Sequence, residues 1–205
     1  RIDEDGVEKI FFYPVKLHGK DTEERVVLSD TTVQENNTTF PTDSKLAKKI
    51  IDKINQIATK ENINQRQTYV RISKQLLKDT HNAKHPKRAK KARASMKKLK
   101  TIAGTLLREI KRELDDSKLK LYIQELALYQ KVLNQKRTDK DKIYSLHKPF
   151  TACISKGKAH KRYEFGNKIG LTITYKSLII TSIKSFTGNT HDSKIIELLL
   201  NQMAD

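Results

Sequence analysis

From Ala89 onward, small or apolar side chains recur at Ala92, Met96, Leu99, Ala103, Leu106 and Ile110, in alternating steps of three and four. That spacing places them on one stripe of an α-helix and excludes a strand, whose side chains alternate with a period of two. A helix with a single apolar stripe must bury it against a partner. Asp115-Asp116-Ser117 interrupts the pattern, and Leu119, Ile123, Leu126 and Leu133 resume it. The economical expectation is a helical hairpin in which the next helix is the partner. Upstream, Pro41-Thr42-Asp43-Ser44 is a capping signal ahead of Leu46, Ile50, Ile54 and Ile57, and Tyr69, Ile72 and Leu76 repeat the helical spacing. Residues 43–136 are therefore expected to be mostly helical.

On both sides of this block the period changes. "VVLSDTTV", residues 26–33, is almost entirely β-branched or apolar and reads as a strand buried on at least one face. After the basic stretch "NQKRTDKDK", "FTACIS" reads as a strand and "KGKAHKRYEFG" as a basic, turn-rich segment. "NKIGLTITYKSLIITSIKSF" holds two β-branched runs around Lys176-Ser177, which predicts a β-hairpin or adjacent strands. Ile195, Ile196, Leu198, Leu199 and Leu200 predict a closing helix. The order implies a mixed α/β fold interrupted after its first strand. Its parts are residues 1–42 (connector and first strand), 43–136 (basic helical insertion) and 137–205 (remaining strands and helix). A start at Arg1 rather than Met implies that the chain is a piece of a longer product.

Charge narrows the partners. Forty-two Lys and Arg stand against twenty-four Asp and Glu, a formal net charge of +18, which is the footprint of a nucleic-acid partner and would also attract an anionic membrane. The longest purely apolar runs are a few residues, too short to span a bilayer, and no segment resembles a signal peptide. A soluble, cytoplasmic chain is expected. One cysteine, Cys153, excludes an internal disulfide framework, and with six scattered histidines it offers no zinc spacing.

The basic residues cluster. Residues 84–100 carry Lys84, Lys87, Arg88, Lys90, Lys91, Arg93, Lys97, Lys98 and Lys100 with no acid among them. A helix that is merely kept soluble usually mixes in glutamate, so this face is expected to follow a phosphate backbone, giving affinity more than base readout. A second patch, Lys156, Lys158, His160, Lys161, Arg162 and Lys168, is interleaved with Tyr163 and Phe165. Those aromatics either stack on bases or belong to the core.

Two acids stand out. Asp30 lies among Val26, Val27, Leu28 and Val33, where a buried charge would need a lysine, a turn donor or a metal to compensate it. Asp192 sits in "FTGNTHDSK" at a junction between strand and helix. Alone it reads as a helix cap. Converging on Asp30, it would make a carboxylate pair of the kind that holds Mg²⁺ for phosphodiester displacement. Glu164, in "RYEFG", is expected to pair with Arg162 or Lys161.

Three ordered stretches, "SDTTVQENNTTFPTDSKL", "IYSLHKPFTACISKGKAHKRYEFGNK" and "GNTHDSK", with the basic "HPKRAKKAR" between them, resemble the DDE transposases of bacterial insertion sequences. The resemblance implies a ribonuclease H-like catalytic fold with a helical insertion, a two-metal Mg²⁺ or Mn²⁺ site, and DNA cleavage and transfer at element ends. Carried over by residue, Asp30 would be the first catalytic and metal-binding acid and Asp192 the second. DNA is the implied partner, a homodimer the implied active assembly, and the nucleoid the implied place of work. The family's third acid, a Glu among spaced Tyr, Arg and Lys, has no counterpart here. After Asp192 the acids are Glu197 and Asp205, without that surrounding pattern. The rival expectation is a non-catalytic nucleic-acid-binding protein or an inactive remnant.

Overall fold

The computed structural model describes residues 12–13, 15–36, 39–81, 83–155 and 160–204. The chain divides into two compact units, one of Arg1–Asn37 with Phe150–Asp205 and one of Thr38–Pro149.

The second unit is helical. Helix α1 spans Asp43–Lys60 and begins where Thr42 Oγ1 accepts the Lys45 amide, the capping bond predicted by the Pro-Thr-Asp-Ser run. Helices α2 (Val70–Asp79), α3 (Pro86–Glu113) and α4 (Asp116–Asn134) follow. Pro86 suits the first turn of α3, where its missing N–H costs nothing. Asp115 Oδ1 accepts the Lys118 amide at 2.8 Å and so starts α4 where the periodic pattern breaks. Leu46, Ile50, Ile54 and Ile57 of α1 and Leu99, Ala103, Leu106 and Ile110 of α3 are all buried in one core, which Leu126, Tyr129 and Val132 of α4 complete. The α3 stripe is not closed by α4 alone. It packs most extensively on α1, then on α2, and α4 packs on both α3 and α1. A hairpin partner would cover one side of the stripe, whereas α3 buries neighbouring positions such as Ile102 with Ala103 and Leu106 with Leu107, and a surface that broad requires several helices.

Among the described residues the first unit holds a short 3-10 helix, Gly19–Thr22, and a four-stranded sheet with a helix packed on it. Strands β1 (Val27–Glu35), β2 (Ala152–Ser155), β3 (Tyr163–Thr174) and β4 (Ile180–Phe186) precede helix α5 (Asp192–Ala204). β3 is the common partner. One edge pairs with β1 from Val27↔Thr174 to Glu35↔Gly166, and the other is shared by β2 and β4. Every pairing among these four strands is antiparallel, whereas the ribonuclease H-like fold that the resemblance implies carries a mixed sheet. The β3–β4 turn falls at Lys176-Ser177, as the two β-branched runs predict, and the Glu24 carboxylate accepts both their amides at 2.8 Å. These amide bonds, with the Ser177 hydroxyl, hold the Glu24 carboxyl below its usual range.

"RYEFG" is not a turn. Tyr163–Gly166 opens β3, with Phe165 buried and Tyr163 partly exposed. The two aromatics share a face of the strand, yet Phe165 is buried with the core and Tyr163, at the strand's first position, is exposed.

α5 lies close against β3. Ile195 and Leu199 are fully buried, and a Cβ added at Gly170 would meet Ile195 Cγ2 at 2.3 Å and Leu199 Cδ1 at 2.9 Å. A Cβ at Gly166 would meet the Gln34 carbonyl oxygen, a backbone atom, at 2.0 Å. Gly170→Ala is therefore expected to destabilise the unit by about 1–3 kcal/mol through overpacking. Gly166→Ala is expected to cost more than Gly170→Ala, because backbone in a ladder yields less than side chains. Urea unfolding of both variants against the parent checks the order.

Candidate functional site

The two acids singled out from sequence are carried by adjacent structural features yet face different ways. Asp192 is the first residue of α5. Its Oδ1 accepts a 3.0 Å hydrogen bond from Thr31 Oγ1 and a 2.5 Å charged contact from Lys168 Nζ. Lys168 also donates to the Thr190 carbonyl at 2.7 Å. Both partners come from the sheet, since Thr31 lies on β1 and Lys168 on β3. The cluster borders a shallow cleft shared with Ser155, Asn189 and His191. The Lys168 side chain is 8% exposed and the Asp192 side chain 61%. The lysine, foremost, and then the Thr31 hydroxyl hold the Asp192 carboxyl below the usual aspartate range.

Asp30 is next to Thr31 and opposite Leu171 in the ladder. Successive strand side chains point to opposite faces, so with Thr31 turned toward Asp192, Asp30 is turned to the other face of the sheet. It is exposed rather than buried, and its Oδ1 accepts the Thr31 amide at 2.7 Å. The apolar run that suggests a costly buried charge does not bury it. The residues around Asp30 on its face include Leu28, which is 45% exposed, and half-buried Leu171.

Paired carboxylates hold Mg²⁺ ions only when they line one space. Here Asp30 is absent from the Asp192 cleft, and the oxygen of Asp192 nearest the sheet is in contact with an ammonium group. No cluster of three His, Cys, Asp or Glu suited to a metal occurs among the described residues. The residues present do not fit a two-metal centre built on Asp30 and Asp192.

The basic residues separate into three kinds. On α3, Lys87, Arg88, Lys90, Lys91, Arg93, Lys97 and Lys98 are all exposed, and Lys84 precedes them in the approach to the helix. Lys91 pairs with Asp79 at 2.9 Å. For Lys84, Lys87, Arg88, Lys90, Arg93, Lys97 and Lys98 there is no ion pair among the described residues. In the second patch, Lys161 contacts Glu35 at 2.5 Å, which raises the lysine pKa, and the Arg162 guanidinium lies 5.4 Å from the Tyr163 ring centre. Lys168, grouped with that patch from its sequence neighbourhood, is buried beneath Asp192 and is not presented to a phosphate. Lys156 and Lys158 lie outside the described residues. Exposed Arg108, Lys111 and Arg112 prolong the α3 face beyond the segment read from sequence. Their signal is the same helical spacing, masked by Glu109 and Glu113 beside them.

Comparison of the chain with models of known protein families, with curated proteins and with solved structures returns no match. No helix among the described residues is long and apolar enough to cross a membrane.

The Asp192 contacts have a signed pH dependence. A carboxyl whose folded pKa lies below its unfolded value stabilises the fold fully above the unfolded value, about 3.9 for aspartate, and loses that contribution as pH falls through the folded value. The parent is therefore expected to lose a component of stability below about pH 4 that Asp192→Asn lacks at every pH. Thermal unfolding from pH 7 to pH 2 measures it. Equal acid slopes in the two proteins would exclude the assignment.

Proposed function

We propose that this chain binds DNA through the exposed face of α3 and is the ribonuclease H-like portion of a DDE-type transposase, its helical unit inserted after the first strand. One observation carries the DNA reading: seven of the cations at residues 84–98 have no acidic partner among the described residues. Like charges at helical spacing repel one another, so the face is unfavourable in the free protein and is relieved by a polyanion. Twenty-eight residues of helix extend about 42 Å at 1.5 Å per residue. That exceeds one turn of duplex, about 34 Å, so a single face can meet successive phosphates. The contacts are with the backbone, and they supply affinity rather than sequence choice.

The transposase reading rests on the resemblance of the three quoted stretches, and it names Asp30 as the first acid of a site for Mg²⁺-dependent strand cleavage and transfer. The second reading, a DNA-binding protein that does not cut, is favoured by the placement of Asp30 and Asp192 on opposite sheet faces. Both readings require the α3 interface.

Neutralising Lys87, Arg88, Lys90 and Lys98 to Gln is expected to flatten the slope of log affinity against log salt by about 0.9 for each phosphate of duplex DNA that is no longer neutralised. The fall in affinity is expected to be similar for unrelated sequences. Fluorescence anisotropy across a salt series measures both, and a slope equal to the parent's would remove α3 from the interface.

A further inference from the structure

We infer that Asp192 is the counter-ion of a buried lysine and the latch of α5, and that its carboxylate is not available to a metal. The argument starts from Lys168. Its side chain is 8% exposed, and an ammonium removed from water needs close acceptors in place of solvent. It has two described acceptors, Asp192 Oδ1 at 2.5 Å and the Thr190 carbonyl at 2.7 Å. Both lie at the entry to α5, in the loop and first residue. The same Asp192 oxygen takes the Thr31 hydroxyl at 3.0 Å. One carboxylate thus ties the first turn of α5 to β1 and β3 together, about two turns ahead of Leu199, which packs over Gly170.

A divalent ion on that oxygen would compete with an ammonium of the same sign already at 2.5 Å from it. It would have to displace Lys168 from its acceptor, leaving a buried cation short of a partner, which is among the costliest single defects in a folded protein. Asp192 is thereby withdrawn from the metal role that the resemblance implies for it. The inference concerns the same sheet as the transposase reading but does not depend on DNA binding or cleavage.

The test is a double-substitution cycle on the full chain, read by urea unfolding, with Mn²⁺ broadening of amide NMR signals as the second readout. Asp192→Asn is expected to lower the folding equilibrium constant about 10–100-fold, the cost of an under-satisfied buried donor. Lys168→Met in the same chain is expected to restore most of that loss, because no buried ammonium remains to be satisfied. In the parent, sub-stoichiometric Mn²⁺ is expected to leave the amides of Ser193 and Lys194 no broader than those near ordinary surface carboxylates. Additive effects of the two substitutions would overturn the latch. Broadening centred on the first turn of α5, abolished in the Asp192→Asn/Lys168→Met protein, would overturn the withdrawal of Asp192 from metal binding. Loss of the salt-dependent DNA affinity in the α3 variant would leave both results unchanged, so the two proposals fail separately.

Discussion

The sheet depends on β3 being hydrogen-bonded along both edges. β1 takes one edge over nine residues, and β2 and β4 divide the other. Without β3 none of the remaining strands has a partner among the described residues, and α5 is left with β4 alone to pack on. The strand is built for that central position. Its buried positions on the helix side are Lys168, Gly170, Thr172 and Thr174, small or able to hydrogen-bond, which lets Ile195 and Leu199 approach the backbone. Ser182 of β4 donates to the Thr172 hydroxyl at 2.8 Å beneath the helix, so the polar atoms there are paired rather than merely covered. Apolar content is supplied by the helix and hydrogen bonding by the sheet.

The helical unit separates charge from core along single helices. α3 is the clearest case: Leu99, Leu106 and Leu107 are fully buried while lysines on the opposite side are exposed. Where acids do meet these cations they act within the unit. Asp43 takes Lys142 at 3.2 Å and Lys100 at 3.9 Å, Asp79 takes Lys91, and Glu61 takes Lys118 at 3.3 Å. These three acids sit at helix ends, and Lys90, Lys97 and Lys98 along the α3 face are left without them.

Much of this is readable from residue order, for reasons that differ by element. Helices α1 and α3 announce themselves because an apolar stripe and a cap are local signals. β4, the β3–β4 turn and the closing helix are legible for the same reason. The opening of β3 reads instead as a turn, because Lys161, Arg162 and the glycines dominate the segment while Glu164, Phe165 and Gly166 are all buried by strands β1 and β2 outside it. The site is less legible still. The apolar neighbours of Asp30 and the loop around Asp192 single these acids out but do not say which way either points, since one residue of strand register reverses the face. Lys168 looks like a member of a basic patch because charge is local, while its burial and its acid are tertiary facts.

The separation of β1 from its partner has a kinetic side. Ser29 and Leu171, whose strands pair, are 142 positions apart, and all four helices of the other unit are made in the interval. Helices close short loops and form early, whereas this ladder must await a long-range closure. During synthesis β1 is therefore an unpaired strand, the kind of segment that recruits other chains. Its composition suits the wait. Ser29, Asp30, Thr31, Thr32, Gln34 and Glu35 make most of it polar, and a carboxylate in mid-strand acts as a gatekeeper against intermolecular pairing. A charge at Asp30 thus disfavours strand-to-strand association of β1 with other chains before the sheet has closed.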